Sequence, residues 1–208
     1  MARKPVSDSP ANAEPVASPS PAAPLARAAG VNIVSSSHLV SVRSPELSEF
    51  EFGLNTAYNA YSRWVVRCMG AAGVRDLTFL DVLVLHHVNH RGRAKRLADI
   101  CFVLNIEDTH VVSYSVKKLL GMKLLTSTKR GKEVFIATSA SGVALCERYR
   151  QVREECLLSG FSGKDEENAE LGEIARLLRN LTGRYDQAAR AAAQARLTGS
   201  VSVGLSPT

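Results

Sequence analysis

Aromatic residues are scarce in this 208-residue chain, 6% with a single Trp, and none occurs before Phe50. Residues 1–44 are filled instead with Pro, Ala and Ser ("SPANAEPVASPSPAAPLARAAG"), which bury too little apolar surface to offset the entropy of ordering. An unstructured arm is expected there, and the end "TGSVSVGLSPT" reads as a second loose tail over residues 196–208. No apolar run approaches the ~20 residues of a membrane span, and no basic, apolar and small-residue leader stands at the start. A cytoplasmic protein is expected. The four cysteines, Cys68, Cys101, Cys146 and Cys156, form no CxxC pair, so they read as small buried apolar residues rather than a zinc or disulfide framework. Patterns such as GxSxG, HExxH, the P-loop and GxGxxG are missing too. No catalytic residue, cofactor or metal site is assigned, and the chain is not expected to be an enzyme.

What is present is base, and it is concentrated. The net charge is +6, yet Arg91 to Lys132 alone holds ten bases against three acids, a local surplus larger than that of the whole chain. Such a field fits a polyanion partner. A merely solvated basic face is the alternative that charge alone would favour.

Periodicity places the elements. Ser44 as cap, Pro45 at the first helical position and Glu46 and Glu49 in the first turn open a helix that stops at Gly70 to Gly73. Within it Leu47, Phe50, Leu54, Tyr58, Tyr61, Trp64, Val65 and Cys68 recur at three- and four-residue steps. "LTFLDVLVLHHVNH" is a second helix opened by Thr78, "RAKRLADICFVLN" a third after a break at Arg91-Gly92, and "IEDTHVVSYSVKKLLGMK" a fourth. The fourth is capped by Glu107, Asp108 or Thr109 and packs Val112, Val116, Leu119 and Leu120 inward. Leu124 and Leu125 then lead into a hairpin, "TSTKRGKEVFIAT", with Gly131 in its turn and charges at its tip. Two long helices follow, the second with Leu171, Ile174, Leu177, Leu178 and Leu181 on one side.

This order resembles the MarR family of winged-helix transcription regulators over about residues 45–194. "LTFLDVLVL" is similar to the family's "LTxxQxxVL", "AKRLADICFVLN" to its "xxLAxxL", and "SYSVKKLLGMKLL" followed by "TSASG" to its "RLxxKGL…LTxxG". The chain departs in having Lys123 where the family commonly has Gly, and in a short wing without the usual Asp-x-Arg. The resemblance implies a mainly α fold with a small β-hairpin wing, a winged helix-turn-helix dimerised through long N- and C-terminal helices. Residues 45–195 would form this domain, with 45–73 and 140–195 as dimerisation helices and 77–138 as the DNA-binding winged helix.

It also implies a repressor that binds double-stranded, pseudo-palindromic operator DNA as a homodimer. Thr109, His110, Ser113, Tyr114 and Lys117 would face base edges or the nearest phosphates, and Lys118 the backbone. In the wing, Lys129, Arg130 and Lys132 flank Gly131, with Arg130 suited to a narrow minor groove; Arg91, Arg93, Lys95 and Arg96 would supply phosphate contacts. Family members often bind a small aromatic acid where the dimer helices meet the winged domain. Tyr61, Arg63, Trp64, Arg67, His86 and His87 are the matching candidates. The start "LSEFEFGLNTAYNAYSRWVVRCMGAAG" resembles a nicotinate-responsive branch, which implies a hydroxylated pyridine carboxylate as effector. His86 and His90 stand four apart on one helical face, a chelating spacing, but no carboxylate or cysteine supports it, and helix-surface histidines are the simpler reading. The competing function is a winged helix used as a protein-interaction module, which would bind an operator no better than random DNA.

Overall fold

The computed structural model describes residues 43–197. The expected arm and tail lie outside the described residues except at their inner ends. The elements run α1 (Pro45–Ala71), α2 (Phe79–Asn89), α3 (Leu97–Leu104), α4 (Thr109–Gly121), β1 (Leu125–Arg130), β2 (Glu133–Thr138), α5 (Ala140–Cys156) and α6 (Asp165–Leu197). They divide into a first unit reaching Thr56, within α1, and a second from Ala57 onward. No described helix is long and apolar enough to cross a membrane.

Helices α2, α4 and α5 begin where a side chain can satisfy a free N–H group. Thr78 and Asp81 form a reciprocal capping box on α2, with the Asp81 N–H donating to Thr78 Oγ1 at 3.2 Å and the Thr78 N–H to Asp81 Oδ2 at 2.8 Å. Asp108 caps α4, its carboxylate accepting from the His110 N–H at 2.8 Å. Ser139 caps α5 by accepting from the Gly142 N–H at 3.0 Å. The apolar faces then meet in one core: Val65, Cys68 and Met69 of α1, Val82 and Leu85 of α2, Ile100 of α3, Val112 and Leu119 of α4, Ile136 of β2 and Leu145 of α5.

β1 and β2 pair antiparallel with Arg130 opposite Glu133, which leaves Gly131 and Lys132 as the turn. Gly131 has φ 62°, a left-handed value that a two-residue hairpin turn requires and glycine adopts without strain. Ile136 is buried in the domain while Val134, two residues nearer the tip, is half exposed.

Two sequence expectations change. The third helix does not start at Arg93: residues 93–96 are extended, and Lys95 exchanges two backbone hydrogen bonds with Ile136, each 2.8 Å. A wing strand that would otherwise have a free edge pairs with Lys95 in an isolated β-bridge, which outweighs the helical propensity of these residues. Cys156 is exposed at the end of α5, whereas Cys68, Cys101 and Cys146 are buried as expected. Burial pushes the Cys146 thiol up to about 11, so it carries no thiolate at neutral pH.

Lys123 shows what the missing family glycine does. It follows the last turn of α4 and holds φ 60°, with its N–H donating to the Leu120 carbonyl at 2.9 Å. A β-carbon in that conformation is strained. Lys123→Gly is expected to raise stability by about 0.5–1 kcal/mol, read as a higher urea midpoint at unchanged slope.

Candidate nucleic-acid interface

The fourth helix separates its two faces cleanly. Val112, Ser115, Val116 and Leu119 are buried, while Thr109, His110, Tyr114 and Lys117 are exposed and Ser113 is half-buried on the outer side. An exposed tyrosine and a run of hydroxyl, imidazole and ammonium groups along this face offer donors, acceptors and charge to a groove. The wing adds Lys129, Arg130 and Lys132, all exposed. Arg130 lies over the Phe135 ring at 5.2 Å from its centroid, which steadies the guanidinium without neutralising it.

The basic residues before α3 fall into two groups. Arg91 and Arg93 are exposed and make no ion pair among the described residues. Arg96 is engaged on both sides, with Asp99 at 3.0 Å and Glu133 at 3.0 Å, and so ties the start of α3 to the tip end of the wing's second strand. Lys95 is used internally: its ammonium donates to the carbonyls of Val88 at 2.9 Å, His90 at 2.8 Å and Arg93 at 3.1 Å. Its three donors are thereby spent at the end of the second helix and the turn beyond it, on carbonyls that need a partner from outside the helix. Burial lowers its pKa. Lys118 also points inward, to Asp81 at 2.8 Å and to the Asp76 carbonyl.

Asp81 and Ser115 are polar residues that sequence reasoning passed over as site residues. Asp81 is 2% exposed and Ser115 1%, and Ser115 Oγ donates to Asp81 Oδ1 at 2.5 Å. A signal existed: Ser115 stands three residues after Val112 and four before Leu119, on the apolar stripe itself. Burial pushes the Asp81 carboxyl up, but hydrogen bonds from Lys118, Ser115 and Thr78 outweigh it and hold the group below its ordinary value of 3.8. A depressed folded-state pKa contributes stability that is present above pH 3.8 and lost as pH falls through the lower folded value. Acid titration of the wild type is therefore expected to show a loss below about pH 4 that Asp81→Asn lacks, measured as urea midpoint against pH.

The six effector candidates do not converge. Tyr61 is half exposed and stands edge-on to Phe79 at 5.6 Å, as does Tyr58. Trp64 packs on the core. Arg63 is exposed, and Arg67 borders a shallow 380 Å³ hollow with Arg75. His87 is half-buried, and burial, with Lys95 and His90 nearby, lowers its pKa. Only His86 enters a cavity between α2 and α5, of 360 Å³, where Tyr149, Arg150 and Arg153 also line the wall. Its ring meets Tyr149 at 4.5 Å, its Nε2 is buried without a partner, and burial lowers its pKa. Arg150 is held by Glu147 at 2.7 Å, whereas Arg153 has no ion-pair partner among the described residues. Those α5 residues carry no motif, so their placement beside His86 was not legible before the fold joined them. Among the described residues, no cluster of three or more His, Cys, Asp or Glu could hold a metal.

Comparison with known proteins matches this geometry. Residues 77–142 fit the family described as winged helix DNA-binding domain. No curated protein matches the chain by sequence. Among solved structures, reduced AbfR bound to DNA is 15% identical, covering 67% of this chain and 96% of its own, with a TM-score of 0.55. A mutant MarR from E. coli complexed with operator DNA is 15% identical over 66% of this chain and 99% of its own, with a TM-score of 0.54. BpsR of Bordetella bronchiseptica, described with regulation of its DNA binding by 6-hydroxynicotinic acid, is 27% identical over 62% and 92%, with a TM-score of 0.46. Over residues 77–142 the chain thus has a winged helix fold matching that family's description. Its structural neighbours include MarR-family regulators, and it shares their mainly helical fold with a two-stranded wing.

Proposed function

We propose that the protein is a sequence-specific, double-stranded DNA-binding transcription regulator, acting as a repressor. The observation that carries this reading is the outer face of α4, where Thr109, His110, Ser113, Tyr114 and Lys117 stand opposite the buried stripe. Hydrogen-bonding groups there can read base edges; the cations of the wing and Arg91 and Arg93 grip phosphates, which position without specifying. Lys95 and Lys118 leave the contact set, because their ammonium groups serve internal acceptors.

The working form is a homodimer on a pseudo-palindromic operator. On α6, Leu171, Ile174 and Leu177 are 45%, 52% and 47% exposed, and on α1 Tyr58 and Tyr61 are 54% and 52% exposed. Apolar stripes of this length on two long helices favour association with a second copy. The effector is a small aromatic carboxylate held in the α2–α5 cavity, its carboxylate on Arg153 and its ring beside His86 and Tyr149. Bound there, it releases DNA by favouring a state with the wrong separation of reading helices.

Fluorescence anisotropy with DNA from upstream of the protein's own gene, against random duplex at several salt concentrations, tests the central claim. Operator preference with a steep salt slope supports it; equal affinity for both duplexes would instead identify a protein-interaction module. Addition of 6-hydroxynicotinate tests the effector, and Arg153→Met is expected to weaken that response about tenfold while leaving DNA affinity in its absence unchanged.

A further inference from the structure

Apolar packing alone leaves a helix free to slide or rotate by fractions of a turn, because dispersion contacts have little direction. A helix that reads base edges needs its side chains held far more tightly than that. The buried stripe of α4 contains one feature with direction. Ser115 and Lys118, three residues apart and therefore on one face, both bond the same carboxylate of α2: Ser115 at 2.5 Å through Oδ1, Lys118 at 2.8 Å through Oδ2. Oδ2 also accepts the Thr78 N–H at 2.8 Å, so the carboxylate is fixed to the first turn of α2 before it reaches α4. Lys118 donates further to the Asp76 carbonyl, just ahead of that turn.

We infer that Asp81 is a positioning residue for the reading helix, clamping α4 through Ser115 and Lys118 so that the first turn of α2 sets the helix's rotation and depth. Two bonds at different heights along α4 oppose both sliding and rotation. Their charged acceptor makes them short and directional. The residue type matters: the "LTxxQxxVL" pattern that this stretch resembles has an amide at the position of Asp81, and an amide cannot form an ion pair with Lys118. The clamp therefore gives Lys118, which its sequence context offers to phosphate, an internal duty.

The functional half of this inference rests on the DNA-binding reading, and two kinds of measurement keep them separable. Lys118→Met, Lys118→Arg and Ser115→Ala are prepared in the full chain and tested on operator and random duplexes at several salt concentrations. Hydrogen exchange of the α4 and α5 amides is followed in parallel. Lys118→Met and Ser115→Ala are expected to lower the operator-to-random affinity ratio about tenfold or more, with random-duplex affinity and salt slope unchanged. Lys118→Arg should restore most of the ratio, and α4 amides should lose protection selectively in the two disrupted variants. A fall in salt slope of about one unit in Lys118→Met, with both duplexes weakened alike, would instead make Lys118 a phosphate ligand and overturn the clamp. An unaltered ratio in Ser115→Ala, which removes a single oxygen and keeps the fold testable should Lys118→Met not fold, overturns it equally. If the wild type shows no operator preference, the DNA reading fails and exchange decides the clamp alone: selective loss of α4 protection upholds it, unchanged protection rejects it.

Discussion

Replacing Gly142 by alanine is expected to cost about 3 kcal/mol or more, enough to unfold much of the population at physiological temperature. A β-carbon at this position would lie 2.1 Å from the Leu124 carbonyl oxygen and 2.7 Å from Thr138 Cγ2. The carbonyl cannot retreat cheaply. It already accepts from the Ser139 N–H at 3.0 Å and from Ser139 Oγ at 3.0 Å, and these bonds fasten the start of α5 to the strand leaving α4. A neighbouring acceptor tightens the same corner: the Ser139 hydroxyl is shared between the Leu124 carbonyl and the Lys123 carbonyl at 2.7 Å, and Ser141 Oγ also donates to the Lys123 carbonyl at 2.7 Å. Relief of the clash would have to come from moving α5 away from the wing. Urea denaturation followed by circular dichroism reads the effect, with Gly121→Ala as the control, since nothing lies within 4 Å of a β-carbon there. That control should match or slightly exceed wild-type stability.

The second large effect concerns binding. A variant with Lys129, Arg130 and Lys132 all replaced by alanine should fold normally, because the three side chains are exposed at the wing. Its affinity for duplex DNA is expected to fall on the order of 100-fold at moderate salt, and the slope of log affinity against log salt by roughly 2 to 3 units. The comparison with Arg130→Ala alone separates insertion from simple charge. If Arg130 enters a narrow minor groove, its loss should reduce operator binding more than random-duplex binding, whereas phosphate contacts weaken both alike. An unchanged slope in the triple variant would remove the wing from the interface.

The starts of α2 and α4 were legible because their caps are local: Thr78 and Asp108, the latter one of three candidates, each stand one residue before a helix and accept from one of its backbone N–H groups. Ser139 caps α5 in the same way, though nothing in the sequence reading singled it out. The inner and outer faces of α4 were equally readable, since a 3.6-residue period assigns them without reference to anything else. The start of α3 was not, because residues 93–96 are extended by pairing with Ile136, a partner 41 positions after Lys95. No local propensity records such a pairing.

The candidate site divides in the same way. Sequence by itself determined which helix turns a polar face outward, which hairpin forms the wing and that base is gathered between Arg91 and Lys132. Each follows from composition and period within a short window. Only the tertiary structure decided which of those bases are free. Lys95, Arg96 and Lys118 look like Arg93 or Lys129 in sequence, but the fold brings carbonyls and carboxylates to them from α2, α3 and the wing. It likewise joined His86 to Arg153 across α2 and α5 and set Ser115 against Asp81. A side chain's charge is written in its own position, whereas its partner is fixed by the chain's return, and a charge acts on a ligand only when no partner has already claimed it.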